Sequence, residues 1–287
     1  MTRLVAYGCS YTAGTEIADH IVLNQPRKIV DDLKIEFGQG KWQEILDHFE
    51  FDHDPLRDLS GGNFYRWYDI NETDELLTAE DINRSSTWVR YLAELRGHSH
   101  YRNRAMGGAS LEHAIWFIEQ DIINGDIDLE KDKVIVQVPH PYRMFAFGND
   151  GNPKSVVPNG FLKGFSRRDE WKNVLETPVW DVNAFNVTWR YYKALRTLNS
   201  HGIPFFFLEL PPRYMEDNVH YDCPAGLKTA DRNVDTTWVD KCWDWITDNS
   251  IHGCFDDWSK VDKHGWGHYT TKEQSKIAEY LNDKLGN

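Results

Sequence analysis

Three stretches of this chain gather residue types that do chemistry together. Gly8-Cys9-Ser10-Tyr11-Thr12-Ala13-Gly14 sets a serine hydroxyl in a turn of small residues. Asn103-Arg104-Ala105-Met106-Gly107-Gly108-Ala109-Ser110 is a glycine-rich turn. Asp262-Lys263-His264-Gly265-Trp266-Gly267-His268-Tyr269-Thr270 brings an acid and two imidazoles into one glycine-broken loop. A serine, a glycine-rich turn and an Asp/His cluster are the parts of nucleophilic acyl transfer: nucleophile, oxyanion donors, base and orienting group. A fourth stretch, Pro139-His140-Pro141-Tyr142-Arg143, adds one more imidazole and a guanidinium.

Such parts act only if the fold brings them together. Leu4-Val5-Ala6-Tyr7 is short, apolar and β-prone, and predicts a buried strand ending at Gly8. From Ser86, Val89, Leu92 and Ala93 recur at helical spacing up to Gly97, and a short strand is expected over 99–103. Leu111, Ala114, Ile115, Ile118 and Ile122 form the stripe of an amphipathic helix. Residues 134–138 predict a strand that ends at Pro139. Val187, Tyr191, Ala194, Leu195 and Leu198 mark a helix stopped by Gly202, and 203–208 predict a buried strand. Val239, Cys242, Trp243 and Ile246 mark a further helix. Ile277, Ala278, Leu281 and Leu285 mark the last, with Thr270 and Glu273 spaced as a capping box.

Short strands alternating with helices of about twelve residues argue for an α/β fold with a parallel sheet. In such sheets ligands sit at the carboxyl ends of the strands. The serine, the glycine-rich turn and the Pro139–Arg143 stretch each follow a predicted strand, and the Asp/His loop precedes the last helix. Residues 17–85 read as an irregular insertion with helix-like pieces at 27–37 and 42–49, and 145–180 as a long Gly/Pro/Asn-rich loop. With 287 residues the whole is expected to be one domain.

Composition narrows the function classes. Lys plus Arg is 32 against 45 for Asp plus Glu, a formal charge of −13. General binding to nucleic acid or to an anionic membrane rests on neutralising phosphates, so neither is expected as a partner. No run reaches the ~18 apolar residues of a membrane span. The short apolar run after Met1 is no secretory signal, so synthesis in the cytoplasm is expected. Cys9, Cys223, Cys242 and Cys254 are scattered without a CxxC pair, and buried free thiols are expected. His264 and His268 have a metal-binding spacing, but Gly265 and Gly267 break the helix it requires. Neither metal nor cofactor is therefore expected. Aromatics are abundant, with 12 Trp, 13 Tyr and 14 Phe. Most belong in the core, and some can stack on sugar rings.

Taken together, these blocks resemble the SGNH (GDSL-type) hydrolase superfamily, in a form similar to versions found in phage and marine-bacterial genomes. The family's first block is usually Gly-Asp-Ser and a turn of small residues; here it is Gly8-Cys9-Ser10 through Gly14. Its second pairs an Asn with a Gly that donates its backbone N–H, which Asn103 and Gly108 match. Its last has a His ten residues before a helix Ala, which His268 and Ala278 match. The likeness covers 1–16, about 86–143 and 182–287. It departs in three places: Cys9 replaces the usual Asp, Pro139-His140-Pro141-Tyr142 stands where Gly-x-Asn-Asp is usual, and Gly265 occupies the position of the acid.

The resemblance implies a three-layer α/β/α sandwich with a mostly parallel central sheet, of SGNH or flavodoxin-like type. It implies a serine esterase: Ser10 as nucleophile, His268 as base, Asp262 as substitute orienting acid, and the N–H groups of Ser10 and Gly108, with Asn103, as the oxyanion hole. His140, Arg143 and His264 are candidate lining residues. Each residue also has a plainer reading. Ser10 would cap a helix, Gly108 would serve a turn, and Asn103 would end a strand. His264 and Asp262 would be solvated loop residues, and Arg143 would form a structural ion pair. The expected partner is a small-molecule or glycan ester, with an acetyl ester on carbohydrate in view. A transferase with an alcohol in place of water shares the same residues. The competing class is a non-catalytic binding or structural protein on this scaffold, such as a virion or surface component.

Overall fold

The computed structural model describes residues 2–14, 17, 65–71, 83–139, 143–147, 153–156, 184–208, 237–251 and 269–286. In chain order the elements are β1 (Arg3–Tyr7), α1 (Ser10–Ala13), β2 (Tyr68–Asp69), α2 (Trp88–Leu95), β3 (His100–Asn103), α3 (Leu111–Ile123), β4 (Asp132–Val138), β5 (Met144–Phe147), β6 (Pro153–Val156), α4 (Ala184–Ser200), β7 (Phe205–Phe207), α5 (Thr237–Asn249) and α6 (Thr271–Lys284).

Five strands form one sheet in the order β2-β3-β1-β4-β7. β1 runs parallel to β3, with Leu4 opposite Tyr101 and Ala6 opposite Asn103. β4 runs parallel to β7, with Val136 opposite Phe205. β2 runs antiparallel to β3, pairing Tyr68 with Tyr101 and Asp69 with His100. Leu4, Val5, Ala6 and Tyr7 are all buried, as are Phe205, Phe206 and Phe207. Successive strand residues point to opposite faces, so a strand buried at every position is covered on both sides. That is the signature of a sheet between helix layers, and the fold is the expected three-layer α/β/α class. Without β2, the order β3-β1-β4-β7 is that of doubly wound flavodoxin-like sheets, and the winding reverses after β1.

The chain divides into two compact units. The first comprises residues 1–107, 127–135 and 257–287. In it α2 buries Trp88, Val89, Leu92 and Ala93, and packs on α6, which buries Ile277, Ala278 and Leu281. Arg3 fixes the start of β1 through two hydrogen bonds to Asp132, 2.7 and 2.6 Å long. The Trp67 ring, just before β2, lies against two cations. The Arg3 guanidinium is 4.0 Å and that of Arg102 4.3 Å from the ring centre.

The second unit comprises residues 108–126 and 136–256. Here α4 packs against α5, burying Tyr191, Leu195 and Leu198 from one helix and Cys242, Trp243 and Ile246 from the other. The Trp243 indole N–H donates to Thr188 Oγ1 at 2.9 Å. The Tyr191 hydroxyl donates to the Pro139 carbonyl just beyond β4 at 2.5 Å.

Three local expectations change. Within the stretch read as loop from 145, the chain forms an antiparallel hairpin with Met144 opposite Val156. Thr270 does cap α6 by position, but its hydroxyl accepts no capping bond. The Glu273 side chain turns to Lys276 Nζ at 2.8 Å instead of reaching back, so the capping box is not formed. The buried face of α3 comprises Leu111, His113, Ala114, Phe117, Ile118 and Asp121, while Ile122 lies at the exposed edge. The insertion read over 17–85 is described only at residue 17, over 65–71 and from Asn83 onward.

Candidate functional site

β1 ends at Tyr7, Gly8 makes the turn, and Cys9 in extended geometry precedes α1. Ser10 is the first residue of that helix and only 7% exposed. Cys9 is buried and forms no disulfide among the described residues. Its carbonyl accepts from the N–H groups of Thr12 and Ala13 at 3.0 and 2.9 Å, which closes the single helical turn. Gly14 then leaves the helix with φ +75°. A Cβ at Gly14 would stand 2.3 Å from the Asn83 carbonyl oxygen and 2.6 Å from Thr87 Cγ2. Glycine is required there twice over, for conformation and for space.

The segment after β3 extends the parallel ladder beside this turn. Arg104 N–H donates to the Ala6 carbonyl at 2.8 Å, and Met106 N–H to the Gly8 carbonyl at 3.2 Å. Arg84 braces the segment by donating to the carbonyls of Asn103 and Ala105. Asn103 itself is fully buried. Its Nδ2 donates to the Thr12 carbonyl at 2.5 Å and to Thr87 Oγ1 at 3.1 Å, and its Oδ1 accepts from Ala105 N–H at 3.2 Å. Both amide protons are thus committed within the protein. To donate to an oxyanion, Asn103 would have to give one of them up.

Gly108 opens the second unit with φ +79°, and a Cβ there would meet nothing within 4 Å among the described residues. Its glycine answers a conformational need, not a steric one. Ser110 caps α3, its hydroxyl accepting from His113 N–H at 3.2 Å. Arg143 is half-buried, and its Nη1 donates to the Ala109 carbonyl at 3.4 Å. The guanidinium thus ties down the glycine-rich turn through the backbone, where an ion pair is the plainer expectation. Arg190 ion-pairs with Glu112 at 2.5 Å and donates to the Arg143 carbonyl at 3.4 Å. His140, Asp262, His264 and His268 lie outside the described residues.

Sequence reasoning passes over Gln274. This residue of α6 is buried, accepts from Trp88 N–H through Oε1 at 3.0 Å, and donates through Nε2 to the Tyr11 carbonyl at 3.1 Å. Thr12 is likewise silent in the sequence, yet its hydroxyl accepts from the Trp88 indole N–H at 3.4 Å. Just before the cap of the last helix, the Tyr269 ring sits 5.1 Å from that of Tyr11.

No family model matches the chain. No curated protein matches it either. Among solved structures it is similar to a protein from Desulfitobacterium hafniense DCB-2 assigned to the G-D-S-L family of lipolytic proteins, at 11% identity and a TM-score of 0.36 over 99% of this chain and 100% of the other. At that distance neither residue roles nor activity pass from one chain to the other. Among the described residues no helix is long and apolar enough to cross a membrane.

Proposed function

We propose that this protein is a serine esterase of the SGNH type. One observation carries the reading: Ser10 begins a helix at the carboxyl end of β1, the strand after which the winding of the sheet reverses. Switch points of this kind are where open α/β sheets bind ligands. The glycine-rich turn after β3 and the sequence block around His268 supply the remaining parts of the chemistry.

In this proposal His268, oriented by Asp262, takes the Ser10 proton as Oγ bonds to the ester carbonyl carbon. The N–H groups of Ser10 and Gly108 receive the oxyanion. Collapse breaks the bond to the alcohol, which leaves with the proton from His268. Water then gives its proton to His268, attacks the acyl-enzyme and frees the acid and Ser10. Acetyl esters on carbohydrate are the first natural substrates to try, and Arg143, His140 and His264 are candidates to line the cleft.

The test is hydrolysis of p-nitrophenyl acetate and labelling by a fluorophosphonate, with wild type and Ser10→Ala. Turnover and labelling by wild type alone are expected. Equal behaviour of the two proteins would overturn Ser10 as nucleophile and favour the non-catalytic scaffold.

A further inference from the structure

A helix of one turn has almost no stability of its own, because nucleation costs more than its few hydrogen bonds return. α1 is such a helix, and its last carbonyls have no partner within it. Two of them, those of Tyr11 and Thr12, are met by buried side-chain amides from distant parts of the chain. Gln274 reaches Tyr11 from α6, and Asn103 reaches Thr12 from the end of β3. Neither amide is a loose end. Gln274 Oε1 holds the first N–H of α2, at Trp88, and Asn103 Oδ1 holds Ala105 N–H. Each side chain can make its bonds in only one orientation, since an amide flip would set N–H against N–H and oxygen against oxygen.

We infer that Gln274 and Asn103 are positioning residues for Ser10, acting as a pair of amide clamps on the carbonyl end of the helix that begins with it. The inference rests on the esterase reading of Ser10. It adds that the serine's place is set by long-range amide bonds as well as by the turn's own residues. A nucleophile must be held to within about an ångström, and misplacement on that scale costs about a hundredfold in rate. Loss of one clamp is therefore expected to slow reaction at Ser10 by about ten- to a hundredfold.

Gln274→Glu and Asn103→Asp keep shape and the accepting oxygen while replacing the donor N–H group by oxygen. Fluorophosphonate labelling of Ser10 is followed as rate per folded molecule, with the folded fraction read by circular dichroism. Wild type and Ser10→Ala are run alongside. Both acidic variants are expected to label more slowly at saturating probe, with probe affinity unchanged. The deficit should shrink towards low pH, because a protonated carboxyl again donates to the carbonyl. Normal labelling per folded molecule, or a deficit that does not change with pH, would overturn the clamp role while leaving Ser10 as nucleophile. A wild type that does not label would overturn the esterase reading itself, and the clamp role with it. A loss confined to Asn103→Asp, with Gln274→Glu normal, would return Asn103 to the oxyanion hole.

Discussion

Gly14→Ala tests how tightly the serine turn is enclosed. The backbone at Gly14 has φ +75°, where an L-residue is disfavoured by about 1–2 kcal/mol. The added methyl would also lie 2.3 Å from the Asn83 carbonyl oxygen, well inside contact distance. That neighbour is backbone and cannot swing aside as a flexible side chain would. Overpacking of this kind costs about 1–3 kcal/mol. The two terms together predict a loss of about 2–5 kcal/mol. Gly97→Ala supplies the control within the same unit. Its φ is +68°, but a Cβ there would meet nothing within 4 Å among the described residues, so only the conformational cost of about 1–2 kcal/mol applies. Urea denaturation of both variants at neutral pH reads the difference directly. Gly14→Ala is expected to be the less stable by about 1–3 kcal/mol. Equal losses would show that Asn83 and Thr87 yield freely, and would refute the enclosure.

Other perturbations probe separate parts of the fold. His98 is buried and its pKa is held below the ordinary value of 6.5, because burial disfavours the charged imidazole more than the Thr2 backbone contact favours it. Its neutral form is the folded one, so its contribution is intact above pH about 6.5 and is lost as pH falls through the lowered value. His98→Leu should therefore flatten the acid side of a stability–pH profile, and an unchanged profile would refute the assignment. Asp132, fully buried, takes both bonds from Arg3 and one from Asp128 N–H at 2.9 Å. Asp132→Ala should cost about 2–4 kcal/mol in urea denaturation, the lower part of the range reflecting the partly exposed Arg3. Tyr191→Phe removes the donor to the Pro139 carbonyl and should cost about 1–2 kcal/mol by the same measurement.

The elements of this fold were legible where periodicity is strong. The strands that became β1 and β4 announced themselves as apolar runs, and α2, α4, α5 and α6 as stripes. The face of α3 was harder to read. Apolar spacing drew the stripe through Ile115 and Ile122, whereas the structure buries His113 and Asp121 on that helix. A hydropathy pattern cannot foresee which polar side chains a helix will turn towards the core. The hairpin of β5 and β6 was hidden for another reason. Its strands are four residues each and lie among glycine, proline and asparagine, which locally favour turns. At the site, Ser10 and Gly14 were visible because their residue types are unusual in that order. Gln274 was not, because a glutamine on an amphipathic helix looks like a surface residue until the carbonyl it serves is known.

The finish of the sheet's outer strands bears on how this protein behaves in concentrated solution. A bare parallel strand offers a row of open N–H and C=O groups, onto which an extended segment of another molecule can zip. On one side two residues of β2 occupy part of that row, and the cation-flanked Trp67 stands immediately before them. On the other, Ile251 touches β7 at a single bridge to Phe206, and its N–H takes the Phe205 carbonyl at 2.9 Å. Among the described residues neither covering is a full strand. Each occupies backbone groups that an incoming chain would need, which disfavours intermolecular pairing at those two places.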